Sequence, residues 1–166
     1  MADQVESFAV IGGEGFVGAA IIHALRTAYP TAPIASFGLT QRTFTPQHRF
    51  FRTDITSPQA IAASLKASGA NTVFHTASPH HDADLALCEK VNIGGTKAVI
   101  EGCWEGGVKK LVFTSTVTVV HEGQELVNID ERLPRTESRK DPYVLTKVSS
   151  SACADRPVRM RYTSKR

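Results

Sequence analysis

Paired cysteines and long apolar runs are both missing from this sequence of 166 residues, which contains only three cysteines. Cys88, Cys103 and Cys153 are widely spaced and form no Cys-x-x-Cys pair, which argues against a disulfide framework. No apolar stretch approaches the roughly 18 residues that a membrane-spanning helix requires. The N-terminus also lacks the charged and apolar segments of a secretory signal. We therefore expect a cytoplasmic protein without a membrane span.

Basic charge is scarce outside the C-terminal end of the chain. The net charge is +3, but residues 148–166 hold five basic side chains and one acidic side chain, so the rest is nearly neutral. A nearly neutral body offers no extended surface for nucleic acid, and we expect no such partner. The serines at 149–151 and Pro157 disfavour a helix. The sequence thus predicts one folded domain over 1–147 and an irregular basic tail over 148–166.

Short apolar runs alternate with helical patterns along most of the chain. The predicted strands are Phe8 to Ile11, Pro33 to Phe37, Arg49 to Thr53, Thr72 to His75 and Lys110 to Ser115. The predicted helices are Phe16 to Ala28, Pro58 to Ser68 and Ala83 to Glu105, the last loosened at Gly94-Gly95. Strands joined by helical crossovers pair in parallel and are covered on both faces. The expected fold class is α/β, a doubly wound, Rossmann-like parallel sheet of about five strands.

A glycine-rich turn joins the first predicted strand to the first predicted helix. Gly12, Gly15 and Gly18 follow GxxGxxG spacing, which leaves room for a pyrophosphate to approach the backbone closely. The backbone amides of Phe16 and Val17, at the start of the helix, would then point toward the anion. A tight turn without any ligand is the alternative. Because the motif follows the first strand of an alternating pattern, we favour dinucleotide binding.

Two further segments bear on how a dinucleotide would be bound. About 20 residues after the glycine turn, where an acidic residue would bind the adenosine ribose, the sequence has Gly38 and then Arg42. Arg42 could meet a 2′-phosphate, so NAD or NADP is expected with NADP favoured, although a solvated loop arginine explains it equally well. Asp54 and Ile55 follow the third strand and are expected beside the adenine. Asp54 as a simple helix cap is the competing interpretation.

A tyrosine and a lysine four residues apart are the candidate catalytic pair. Tyr143 and Lys147 share one face of a predicted helix that starts near Pro142. A nearby ammonium stabilises a phenolate, which could then take the proton of an alcohol while hydride leaves for a nicotinamide. Ser115 and Thr116, at the end of the preceding strand, offer hydroxyls to hold the substrate oxygen. An ordinary amphipathic helix surface is the alternative.

Together these segments resemble a known family. The motifs are IGGEGFVG at 11–18, HTASP at 75–79, VNIGGT at 91–96, KLVFTST at 110–116, EGQELVNIDE at 122–131 and the pair at 143 and 147. They resemble extended short-chain dehydrogenases/reductases, and among these the 3β-hydroxysteroid dehydrogenase/isomerase group, including sterol-4α-carboxylate 3-dehydrogenases. The resemblance covers about residues 7–147. Family members continue with a substrate domain, so we expect this chain to lack most of that domain.

The resemblance implies roles for individual residues. It makes Tyr143 and Lys147 catalytic and places the active hydroxyl at Thr116, with Ser115 as a substitute. It also places Ala77 and Ser78 along the cofactor. Asn92 would be a helix residue that supports the site.

The resemblance also implies an activity and partners. It implies an NAD(P)-dependent oxidoreductase acting on the CH-OH group of a 3-hydroxy or 3-keto sterol. Homodimers and, for longer relatives, association with the endoplasmic reticulum membrane are further implications. A truncated, non-catalytic dinucleotide-binding fragment is the alternative, and a redox-sensing regulator is a third hypothesis.

Other candidate sites are weaker. His80, His81, Asp82 and Asp84 contain metal-ligand side chains, but residues so close together on a loop rarely enclose one ion, and we expect no metal. His75 ends an apolar strand and is expected to lie in the core or near the cofactor. The Cys103-Trp104 pair is likewise expected in the core.

Overall fold

The fold is built on a single parallel sheet. The computed structural model describes residues 6–42, 48–80, 82–121, 125, 127, 130, 132–136 and 141–154. Its five strands are β1 (Phe8–Ile11), β2 (Ile34–Gly38), β3 (Arg49–Arg52), β4 (Thr72–His75) and β5 (Lys110–Phe113). All are parallel and lie in the order β3-β2-β1-β4-β5. The predicted fold class is confirmed, and the ends of the predicted strands differ from the observed ones by at most two residues.

The strand order creates a cleft beside β1. The chain runs outward from β1 to β3 and then returns to β4 on the other side of β1. Open α/β sheets bind ligands where the direction of winding reverses, at the carboxyl ends of the strands. Ile11 and His75, the last residues of β1 and β4, are paired in register at this point. The site predicted from the sequence therefore belongs at this edge.

Five α-helices and two irregular helical segments surround the sheet among the described residues. The α-helices are α1 (Phe16–Ala28), α2 (Pro58–Ser68), α3 (Leu85–Cys88), α4 (Thr96–Glu105) and α5 (Pro142–Ala154). A π-helical segment, Glu89–Gly95, joins α3 to α4, and a 3-10 turn covers Val117–Val120. The long helical pattern predicted to be loosened at Gly94-Gly95 is thus confirmed. Such π-helical turns occur frequently at functional sites.

Each face of the sheet packs against its own helices. On one face α1 covers a cluster that includes Val10, Ile22 and Leu25. On the other face α2 and α4 cover a larger cluster that includes Ile61, Leu65, Phe37 and Val99. Burying such side chains contributes about 1.5–3 kcal/mol each, so these two layers stabilise the fold and hold the strand ends in place.

The core prediction for the Cys103-Trp104 pair is half right. Cys103 is buried in the larger cluster, whereas Trp104 is 52% exposed. Helix α4 turns Val99, Gly102 and Cys103 toward the core, and a side chain at Gly102 would overlap Ile61 on α2. Because successive helical residues are about 100° apart, this close helix packing leaves Trp104 on the solvent side.

The prediction that the chain becomes irregular after Lys147 is wrong for residues 148–154. Helix α5 continues through Ala154, and its serines are satisfied within the structure. The Ser149 hydroxyl donates to the Leu145 carbonyl, and the Ser150 hydroxyl donates to the Lys147 carbonyl. Ser150 and Ser151 are buried, so tertiary packing overrides their low helix propensity. Residues 155–166 lie outside the described part of the chain.

The polar segment 121–140 is only partly described. It follows the 3-10 turn, and the amide of the buried Thr136 donates to the Val119 carbonyl over 2.7 Å. Within the described residues, no helix combines the length and the apolar character needed to cross a membrane.

Candidate active site

The glycine turn after β1 has the geometry that a bound pyrophosphate requires. Gly12 has a φ of +82°, which side-chain-bearing residues rarely adopt. Its amide donates to the Phe37 carbonyl on β2 over 2.8 Å. A Cβ at Gly18 would overlap the Gly12 carbonyl oxygen, because the first turn of α1 lies directly on the turn. The glycines therefore bring the start of α1 to the sheet edge, as the motif predicts.

The amino-terminal end of α1 is exposed and carries no side-chain cap. Gly15 is its N-cap residue and supplies no capping hydrogen bond. Phe16 is 95% exposed and Val17 48% exposed. The first amides of a helix have no partner within the helix and carry partial positive charge. The residues present therefore fit a bound diphosphate group.

The carboxyl end of β4 lies against this turn. The Thr76 amide and hydroxyl both bond to the Ile11 carbonyl, at 2.9 and 2.8 Å. A Cβ at Gly12 would lie 2.9 Å from the Ala77 amide nitrogen. The predicted cofactor residue Ala77 is thus brought next to the glycine turn, and Ser78 is the following residue.

A buried polar network connects Ser78 to α5. The Ser78 hydroxyl donates to the Asn92 side-chain oxygen over 2.9 Å, and the Asn92 amide donates to the Thr146 hydroxyl over 3.0 Å. Asn92 lies in the π-helical segment and is 2% exposed. Asn92 thus links the β4 loop to α5, and its predicted role in supporting the site stays a prediction.

Lys147 lies at the carboxyl end of β5. Its ammonium donates to the Thr114 carbonyl over 2.7 Å and lies 4.6 Å from the centre of the Phe113 ring. The residue is 4% exposed. Burial lowers the pKa of this ammonium from 10.5 to about 8, because the charged form has lost its solvent. At neutral pH the group is still mostly protonated, and it adds a positive charge to the same sheet edge.

The other predicted catalytic residues lie on α5 and directly after the end of β5. Tyr143 lies one helical turn before it, and its amide donates to the Asp141 carboxylate over 2.7 Å, which fixes the start of α5. The Ser115 hydroxyl is 2.7 Å from the Ser151 hydroxyl on the same helix. Thr116 is the N-cap of the 3-10 turn, with its hydroxyl 3.1 Å from that of Thr118. Ser115 thus anchors the strand end to α5, while Thr116 starts the next turn.

His75 is a buried neutral imidazole at the end of β4. It is 1% exposed, its Nε2 is 3.2 Å from the Thr96 hydroxyl, and its ring lies 5.4 Å from the Phe113 ring. Burial, assisted by the charge of Lys147, lowers the pKa of this imidazole from 6.5 to about 4. The prediction of a core position is confirmed, and a neutral ring next to Lys147 avoids a second buried charge.

Protein stability is expected to fall as the pH is lowered, because of His75. The unfolded imidazole binds a proton below its ordinary pKa of 6.5, while the folded one stays neutral until about 4. The free energy of unfolding contributed by this group is therefore fully present above pH 6.5 and declines by up to roughly 3 kcal/mol toward pH 4. Urea unfolding between pH 4 and 7 should show a steeper decline in wild type than in His75→Gln. Equal slopes would contradict this assignment.

Glu14 is a site residue that the sequence reasoning missed. Its side chain is 7% exposed and bridges the glycine turn to the segments around β2 and β3. One carboxylate oxygen accepts from the Ser36 hydroxyl at 2.9 Å and lies 3.0 Å from His48 Nε2. The other accepts from the Arg42 amide at 2.8 Å. The sequence did carry a signal for this residue: an acidic side chain lies inside the glycine motif, while residue 38 is a glycine.

The structure places the remaining predicted cofactor residues around this edge. Arg42 is exposed, as a solvent-facing loop arginine would be. Asp54 does not cap α2: its carboxylate accepts from the Thr56 amide and hydroxyl, and Ser57 is the cap. The Thr56 bonds hold the pKa of the Asp54 carboxyl below 3.8. Ile55 is 8% exposed and packs in the core, so the adenine contact predicted for it stays a prediction.

The candidate metal ligands form no cluster in the described structure. His80 and Asp82 make an exposed contact of 2.6 Å, and Asp84 caps α3 by accepting from the Leu87 amide. His81 lies outside the described residues. Among those described, no group of three or more potential ligands is suited to a metal ion.

The site just described coincides with the segment that a known family covers. The sequence model of the 3-beta hydroxysteroid dehydrogenase/isomerase family matches residues 9–154, from β1 to the end of α5. The chain belongs to this family. Membership in the 3-beta hydroxysteroid dehydrogenase/isomerase family confirms the resemblance drawn from the glycine turn, the strand ends and the Tyr143/Lys147 pair.

Curated relatives of this family member include several sterol enzymes. The human sterol-4-alpha-carboxylate 3-dehydrogenase, decarboxylating, is 40% identical over 147 residues, which cover 88% of this chain and 38% of the human protein. The Candida albicans sterol-4-alpha-carboxylate 3-dehydrogenase is 32% identical over 159 residues, covering 90% of this chain and 45% of that protein. The chain therefore spans less than half the length of these relatives.

Solved structures with the same fold include NAD complexes of related enzymes. The Thermus thermophilus UDP-glucose 4-epimerase in complex with NAD has a TM-score of 0.74 and 25% identity, covering 89% of this chain and 49% of the epimerase. The Bordetella bronchiseptica enzyme WbmH in complex with NAD+ has a TM-score of 0.77 at 16% identity, covering 90% of this chain and 52% of WbmH. At that identity the WbmH comparison supports the fold alone.

Proposed function

We propose that this protein is a dinucleotide-dependent oxidoreductase that transfers a hydride between NAD(P) and a 3-hydroxy or 3-keto sterol. One observation carries the proposal. The buried Lys147 ammonium lies at the carboxyl end of β5, one helical turn after Tyr143, on the edge where the uncapped start of α1 lies. A diphosphate group and a proton-transfer group would thus share one cleft.

The dinucleotide would be held by groups that the fold brings to this edge. The amides that open α1, at Phe16, Val17 and Gly18, would bind the pyrophosphate. Asp54 would lie toward the adenine, with Ala77 and Ser78 along the middle of the cofactor. When bound, the nicotinamide supplies the hydride acceptor or donor. The Thermus thermophilus UDP-glucose 4-epimerase, which was solved in complex with NAD, and the uncapped end of α1 support this placement.

Proton transfer is assigned to the phenol of Tyr143. Lys147, one helical turn after this tyrosine on α5, is 4% exposed to solvent, so its positive charge is weakly screened. The phenolate would remove the proton of the substrate alcohol, or the phenol would return a proton to the ketone. Lys147 would also bind the hydroxyls of the nicotinamide ribose.

The substrate oxygen is assigned to the Thr116 hydroxyl. Ser115 is engaged with Ser151 on α5, which suits an anchoring role. Thr116 keeps a hydroxyl at the start of the turn that follows β5. The sterol class rests on the names of the curated relatives, sterol-4-alpha-carboxylate 3-dehydrogenase and 3-beta-hydroxysteroid dehydrogenase. Self-association through the outer helices is a further proposal, which sedimentation of the purified chain would test.

Calorimetric titration of the purified chain with NAD, NADH, NADP and NADPH tests the proposal. We expect saturable binding of at least one reduced nucleotide with a dissociation constant below about 100 μM, a common range for cofactor and substrate binding. Formation of NADH or NADPH from a 3β-hydroxysteroid should follow. Lack of binding to every nucleotide would refute the proposal. Binding without turnover would favour the alternative function, a non-catalytic dinucleotide-binding protein.

A further inference from the structure

The Glu14 carboxylate occupies the place where two dinucleotide-binding segments meet. It is part of the glycine turn and accepts the amide of Arg42, which lies just after β2. In dinucleotide-binding folds the pyrophosphate lies on the turn, while the adenosine ribose lies against the end of the second strand. A carboxylate that joins these two segments therefore lies beside the ribose and its 2′ position.

Glu14 cannot easily turn away from this position. The Ser36 hydroxyl and His48 Nε2 contact one carboxylate oxygen, and the Arg42 amide contacts the other. The side chains of Glu14 and His48 are 7% and 5% exposed. These contacts and burial hold the negative charge in one place, and a weakly solvated charge acts strongly on its neighbours.

We propose that Glu14 makes this protein select NAD(H) over NADP(H). The inference rests on the proposed function, because it concerns the same nucleotide cleft. A 2′-phosphate would add about two negative charges beside a fixed carboxylate, whereas a ribose hydroxyl adds none and can donate a hydrogen bond. Glu14 thus takes over the selective role that an acidic residue at the end of β2 would have, where this chain has Gly38. The opposite preference, for NADP, is what Arg42 alone would favour.

Titration of NADH and NADPH into wild type, Glu14→Gln and Arg42→Ala distinguishes the effects of Glu14 and Arg42 on nucleotide preference. We expect wild type to bind NADH at least about tenfold more tightly, a difference typical of one fixed charge. Glu14→Gln should raise NADPH affinity about tenfold and bring the two affinities together. Arg42→Ala, the matched control in the same contact, should keep the preference for NADH.

A rescue variant adds a positive readout. A side chain at Gly38 has room, since its nearest atom outside the neighbouring residues is Phe50 Cε2 at 3.7 Å. Gly38→Asp in the Glu14→Gln background is expected to restore the preference for NADH. Glu14→Ser is the second variant, used if Glu14→Gln does not fold. It removes the charge and does not place a glutamine amide group beside Ser36.

The outcomes distinguish this inference from the proposed function. Wild type binding NADPH as tightly as NADH, or an unchanged ratio in both Glu14 variants, would overturn the role of Glu14 while leaving the proposed function intact. Loss of NADPH binding in Arg42→Ala would show that Arg42 decides the preference instead. Failure of wild type to bind either nucleotide would overturn the proposed function, and this inference with it.

Discussion

Gly18→Ala is expected to lower the affinity for NADH at least about 100-fold and the free energy of unfolding by about 3 kcal/mol. The added methyl group would overlap the Gly12 carbonyl oxygen and press on the Gly13 backbone. The rigid backbone of the turn cannot yield as a flexible side chain could, so α1 would have to move away from the sheet edge. Calorimetric NADH titration and urea unfolding measure the two effects.

Gly94→Ala is the matched control for this variant. Gly94 is exposed, and its nearest contact for a new Cβ is the Glu89 carbonyl oxygen at 3.8 Å. Replacing a helical glycine without a clash is expected to leave NADH affinity unchanged and to raise stability by about 0.5–1 kcal/mol. Normal NADH affinity in Gly18→Ala would show that the turn does not bind the nucleotide through close backbone approach.

Lys147→Met is expected to stabilise the fold while it removes catalysis. The pKa of about 8 means that the folded state disfavours the ammonium relative to the unfolded chain. An apolar side chain of similar length avoids this cost, although the Thr114 carbonyl loses its donor. We therefore expect the free energy of unfolding at pH 7 to rise by about 1–2 kcal/mol. Turnover should fall about 10²–10⁴-fold, because the proton-transfer group Tyr143 would lose the positive charge one helical turn away.

The pH dependence of stability tests, without any activity measurement, whether burial of the Lys147 ammonium destabilises the fold. Between pH 8 and 10.5 the unfolded lysine still binds a proton that the folded one has released, so wild-type stability should rise with pH in this window. Lys147→Met should lack that rise. Tyr143→Phe is the comparison variant, since it should lose turnover to a similar extent and keep the wild-type pH dependence. A destabilised Lys147→Met without change in the slope would make Lys147 a structural cation.

Much of the candidate site at the carboxyl ends of the strands follows from local sequence patterns. The glycine spacing at 12, 15 and 18 requires a strand before it and a helix after it, and both are found at the predicted bounds. The spacing of Tyr143 and Lys147 requires only a helix to place them on one face. Parallel strands joined by crossovers then bring both segments to the same edge of the sheet, so the sheet topology determines that they lie near each other.

Two features depended on contacts between residues distant in the chain. Helix α5 continues past Lys147 because Ser150 and Ser151 are buried, which helix propensity cannot indicate. Trp104 is exposed because the packing of α4 on α2 selects another helix face. Neither outcome is encoded in the local pattern, since both depend on what lies opposite the helix.

The sequence alone determined the strand and helix alternation, the glycine turn and the residue types of the candidate catalytic pair, because each depends on spacing within one segment. Only the tertiary structure decided the environment of those residues. It buried Lys147 against the Thr114 carbonyl and His75 against Thr96, and it brought Glu14 to Ser36, His48 and Arg42. Burial and charge partners set pKa values and ligand preference, and both arise between segments far apart in the chain.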